Sequence, residues 1–94
     1  MEKQSARAVI TVIGKDRIGI LARVSSICAR NQVNVLEVTQ SILQDLFAMT
    51  MLVDITKCAV PFSRLSDQLS SAGDEMNLKI HVMHEDIFNS MHRI

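Results

Sequence analysis

The clearest pattern in this chain is the alternation between residues 47 and 55. Phe47, Met49, Met51, Val53 and Ile55 line one face, and Ala48, Thr50, Leu52 and Asp54 the other. A period of two predicts a strand. The preceding run from Val33 to Leu43, VNVLEVTQSIL, is also β-rich, and Gln44-Asp45 between the two reads as a hairpin turn. Near the N-terminus, ARAVITVIG carries β-branched Val9, Ile10, Val12 and Ile13. It predicts a strand from Ala6 that Gly14 ends. Between these strands, Ile20, Leu21, Val24, Ile27 and Cys28 recur at helical spacing, which predicts a helix over Lys15–Asn31. Asp16 stands where an N-cap is expected, with Arg30 and Asn31 at the closing end.

The second half repeats the plan. Pro61 suits the first turn of a helix, and Phe62, Leu65, Leu69, Ala72 and Met76 form an apolar stripe behind it. Leu78, Ile80 and Val82 alternate with Lys79, His81 and Met83 in a fourth strand that runs to His84. Residues 85–94 are expected to form a short terminal helical extension with Ile87, Phe88 and Met91 on one side, and residues 1–5 are expected to fray. The order βαββαβ is that of an α+β, ferredoxin-like sandwich: a four-stranded antiparallel sheet with two helices on one face.

The helix-covered face is expected to carry Ala8, Ile10 and Val12, then Leu36 and Val38, the odd residues from Phe47 to Ile55, and Leu78, Ile80 and Val82. The opposite face then holds Val9, Ile13, Leu52 and Met83 among Thr11, Thr39, Thr50 and His81. A half-apolar face of this kind needs a cover, either the C-terminal segment or a partner subunit.

With 94 residues, the chain suits one domain, residues 1–94. Aromatics are only 3%, so the core must be aliphatic, with six Met as adaptable filler. Ten basic residues balance ten acidic ones, which argues against nucleic acid or an anionic membrane as the main partner. Lys15, Arg17, Arg23 and Arg30 cluster locally and read as a solvated helix face. Cys28 and Cys58 lack metal or redox spacing and read as buried thiols in a reducing compartment. With no signal-like or membrane-spanning run, a cytoplasmic location is expected.

No nucleophile motif, glycine-rich phosphate loop or dinucleotide fingerprint occurs, so neither an enzyme nor a cofactor is expected. His81 and His84 lie three apart on a strand and face opposite ways. With Glu85 and His92 they suggest no more than a loose surface cluster, and no metal site is expected. The informative stretch is Gly14-Lys15-Asp16-Arg17-Ile18-Gly19-Ile20. Free backbone N–H groups at a helix start can hold a carboxylate, and Gly19 lets a ligand come close. Asp16 can accept from an ammonium group, and Asn34 can both donate and accept. A zwitterionic amino acid needs both functions. The plainer alternative makes Asp16 an N-cap, Gly14 a turn residue and Asn34 a shaper of the second strand's start.

The stretch ITVIGKDRIGILARVSSICARNQVNVLEVTQ resembles the first half of an ACT domain: strand, GxDxxGI turn, amphipathic helix and a VN-hydrophobic strand start. The turn is also similar to that of glycine cleavage system regulators, and the chain resembles small stand-alone ACT proteins. The resemblance implies a regulatory module that binds an amino-acid-like effector, pairs as a homodimer and acts on a regulated protein partner. By similarity to serine-inhibited phosphoglycerate dehydrogenases, Gly14, Asp16 and Asn34 fall at effector positions. This chain departs from that enzyme's histidine and asparagine at the first two and keeps the asparagine at Asn34. The competing expectation is a ligand-free interaction module that works through its edge strand and sheet face.

Overall fold

A computed structural model describes residues 6–15 and 19–91. The elements are β1 (Arg7–Lys15), α1 (Ile20–Arg30), β2 (Asn34–Leu43), β3 (Leu46–Asp54), α2 (Phe62–Met76), β4 (Lys79–His84) and α3 (Glu85–Met91). The sheet is antiparallel with strand order β2-β3-β1-β4. This is the ferredoxin-like βαββαβ arrangement expected from the hydrophobic pattern.

The core follows that pattern on three strands. Ala8, Ile10 and Val12 of β1 and Met49, Met51 and Val53 of β3 are fully buried against Val24 and Cys28 of α1 and Leu65 and Leu69 of α2. The second strand departs from expectation. Leu36, expected in the core, is 45% exposed, because a bulge between Val35 and Glu37 shifts the register there. The extra residue lets Val35 and Val38, three apart, pack on the same core.

Both helices turn directly into strands. Gln32 (φ 60°) and Asn77 (φ 59°) adopt the left-handed conformation after α1 and α2. The N–H of Val33 donates to the Cys28 carbonyl and that of Gln32 to Ala29; Leu78 and Asn77 donate in the same way to Gly73 and Asp74. These are Schellman closures, each with a buried residue, Val33 or Leu78, immediately beyond the joint. At the hairpin tip Gln44 also takes a positive φ of 58° between the paired Leu43 and Leu46.

Asn31 is a buried polar residue at the closing end of α1. Its Nδ2 donates to the Ile27 carbonyl at 2.9 Å and to Gln68 Oε1 at 2.7 Å, and its backbone carbonyl accepts from Ala59 N–H at 2.8 Å. One side chain thus ties α1 to α2, while its backbone holds the loop that enters α2.

Replacing Asn31 by Asp puts a carboxylate against two acceptor oxygens. The variant is expected to lose about 2 kcal/mol or more at pH 7. Burial raises the introduced group's folded-state pKa, so the penalty shrinks as pH falls through the carboxylate range. Urea midpoints at pH 7 and pH 3.5 that shift equally against wild type would contradict this. Burial, and then the charge of Cys58, push the Cys28 thiol up to about 11. Thiol titration of the folded protein at pH 8 is expected to modify the half-buried Cys58 and to spare Cys28 until denaturant is added.

Candidate functional site

The structure places Gly14 inside β1. β1 does not stop at Gly14 but continues to Lys15, with Gly14 paired to Phe47. A Cβ at Gly14 would lie 2.3 Å from Leu78 Cδ2, so the missing side chain makes room for a core leucine. The next candidate, Asp16, lies outside the described residues. Helix α1 begins at Ile20, and its N-cap position is Gly19, with no side-chain cap. Gly19 sits at φ 87°, is exposed, and has open space where a Cβ would point. Its conformation favours glycine, and its backbone is open to close approach.

Asn34 is exposed at the start of β2, opposite Asp54, which in turn faces Arg7 across the sheet. Arg7 and Gly14 are seven positions apart on β1, about 23 Å of strand. Gly14 and Gly19 therefore share one end of the sheet and Asn34 stands at the other. One chain does not bring them together.

At the Asn34 end a hollow of about 310 Å³ is lined by Gln32, Asn34, Asp54, Thr56 and Lys57. Of these, sequence reasoning singled out only Asn34. The left-handed joint after α1 presents Gln32, and the bend after β3 presents Thr56 and Lys57. Asp54 Oδ1 accepts from the Thr56 N–H at 2.9 Å, and Thr56 Oγ1 accepts from the Ala6 N–H at 2.9 Å. Hydrogen bonding from Thr56, helped by the charges of Arg7 and Lys57, holds the Asp54 carboxyl below its ordinary range. The Asp-x-Thr spacing at 54–56 was the signal available for this turn.

Beside the hollow, Arg7 forms a paired contact with Glu85, its Nε 3.1 Å from Oε1. The hydrogen bonds from Arg7 lower the Glu85 carboxyl. This contact pins the first turn of α3, which packs on β1 and β4. Val9, although outside the core cluster, is only 5% exposed. Leu52 and Met83 are half-buried and Ile13 is 43% exposed, so the open face is partly covered by the chain itself.

The expected basic cluster is largely paired: Lys15 with Asp45 and Arg23 with Glu75, while Arg17 lies outside the described residues. His81 shares a row with Thr11 and His84 with Ala8, on opposite faces as expected. The His84 ring meets Phe62 edge-on at 6.2 Å, and His92 lies outside the described residues. Among the described residues no group of three His, Cys, Asp or Glu side chains is placed to hold a metal ion. Nor is any described helix long and apolar enough to cross a membrane.

Residues 6–83 match the family model of the ACT domain. A UPF0237 protein of Methanocaldococcus jannaschii is 48% identical over 95% of this chain and 99% of its own length. An ACT domain protein from Streptococcus pneumoniae has the same fold with a TM-score of 0.78 at 32% identity, covering 90% of this chain and 96% of that one. A proposed glycine cleavage system transcriptional repressor, at 21% identity and TM-score 0.71, shares the fold over 85% of this chain and 46% of its own. The βαββαβ sheet, the turn ending at Gly19 and the match over residues 6–83 agree: the chain belongs to the ACT-domain family.

Proposed function

We propose that this protein is a non-catalytic sensor, a homodimer that binds an amino-acid-like effector between its subunits and passes the signal to a protein partner. ACT domains are regulatory ligand-binding modules. The observation that carries the reading is the separation of the candidate residues to opposite ends of the sheet, next to a free edge.

β2 is an edge strand, and its outer backbone groups are available for pairing. Two-fold symmetric pairing of β2 with its copy is antiparallel. It sets the Asn34 end of one copy beside the Gly14 and Gly19 end of the other. Gly14 then lies two strands in from the shared edge, about 10 Å. Leu36 on β2 and Leu21 on α1, 45% and 40% exposed, gain cover in this arrangement. Asp16 completes the proposed ligand set with Gly14, Gly19 and, from the opposing copy, Asn34. The open sheet face with Val9, Ile13, Leu52 and Met83 offers a second surface for assembly.

A second reading, a ligand-free interaction module, draws on the exposed apolar residues of the β2–β3 hairpin, Leu36, Ile42 and Leu46. Thermal melts against an amino-acid panel, run beside light scattering, separate the two. The sensor reading expects a dimer whose melting temperature rises with one amino acid. A ligand at a hundred times its Kd contributes about 2.7 kcal/mol. Asn34→Ala should abolish the rise and leave the dimer intact. A dimer indifferent to the whole panel favours the interaction module, and a monomer that still binds ligand rules out a shared site.

A further inference from the structure

The hollow at the Asn34 end holds more chemistry than Asn34 alone. Its five lining residues supply an acceptor and several donors on one small surface. Asp54 uses one carboxylate oxygen on Thr56 and keeps Oδ2 free of hydrogen bonds among the described residues. The side chains of Gln32, Asn34 and Lys57 make no hydrogen bond or ion pair among the described residues. Arg7, the other cation beside Asp54, is occupied by Glu85. The unpaired groups are thus one anionic acceptor, one ammonium and two amides.

We infer that this hollow is the seat for both charged groups of a small α-amino acid, with Asp54 taking the ammonium and Lys57, Gln32 and Asn34 taking the carboxylate. The inference rests on the sensor reading and deepens it, because it places the polar recognition of the effector within one subunit. An α-ammonium needs a fixed acceptor, and the Asp54 carboxylate is fixed by its bond to the Thr56 N–H. A carboxylate needs donors that approach from more than one side, and Gln32 and Asn34 flank the α1–β2 joint while Lys57 follows β3.

The lining also sets specificity. No apolar residue lines the hollow, so a branched or aromatic side chain gains nothing by entering it. Glycine, serine and threonine suit it, whereas leucine and phenylalanine do not. Both charged groups are read, so a ligand that lacks either loses its partner and leaves a protein group unpaired.

The test is an amide NMR titration and calorimetry of the full chain with glycine, L-serine and L-leucine. Glycolate, without the ammonium, and ethanolamine, without the carboxylate, serve as controls. The expected result is chemical-shift change at Gln32, Asn34, Asp54, Thr56 and Lys57, and binding of glycine or serine at least tenfold tighter than of leucine or either control. Asp54→Asn keeps an acceptor for Thr56 and removes the charge, and Lys57→Met removes an exposed donor. Each should weaken binding about tenfold or more with an unchanged free-state spectrum. If serine binds both variants as it binds wild type, with shifts confined to Gly14 and Gly19, the seat is elsewhere and the sensor reading stands. If no amino acid binds the wild-type protein, both are overturned.

Discussion

The fold is organised around the aliphatic seam between β1 and β3, where Ala8, Ile10 and Val12 lie in register with Val53, Met51 and Met49. All six are fully buried, and nothing aromatic substitutes for them at the centre of the sheet. Apolar burial contributes about 25 cal/mol per Å², so a small domain must cover this seam with every helical residue available. Val24, Cys28, Leu65 and Leu69 do so. Each helix must then reverse direction at once to return the chain to the sheet. The left-handed Gln32 and Asn77 accomplish that reversal in a single residue. The candidate ligand groups lie at the two ends of the sheet, beyond the reach of the seam.

Much of this was legible because β3 alternates without interruption and α2 carries an unbroken stripe. One central strand and one long helix constrain the placement of the rest. The misreadings have local causes. Leu36 sits on a bulge, and one inserted residue moves a strand from one phase to the other without changing its composition. Gly14 resembles a turn glycine in sequence because the space it leaves is taken by Leu78, a residue 64 positions away. The start of α1 was placed too early because Asp16 has the chemistry of an N-cap, whereas the cap position belongs to Gly19.

The candidate site was legible only in part, for a related reason. Sequence proximity groups Gly14 with Gly19, and the family resemblance adds Asn34, but nothing in a linear chain states that β1 and β2 run parallel from the same end. Counting register rows makes the separation plain. The same rows identify Asp54, which faces Asn34 directly, as the neighbour that sequence reasoning overlooked. Lys57 carries no motif, and Asp54 only the short Asp-x-Thr spacing of its turn. Their significance comes from a bulged edge strand on one side and a tight bend on the other.

The equivalent joints after α1 and α2 give the two ends of the sheet related surroundings. In the element order of the two βαβ halves, Gln32 corresponds to Asn77 and the start of β2 to the start of β4. The hollow of Gln32, Asn34 and Asp54 corresponds in the same way to one at the far end lined by Asp74, Asn77, Lys79 and Ile13. The architecture therefore builds the same niche twice. In the first niche the central strand contributes the carboxylate of Asp54, and in the second the apolar Ile13 beside Asp74 and Lys79.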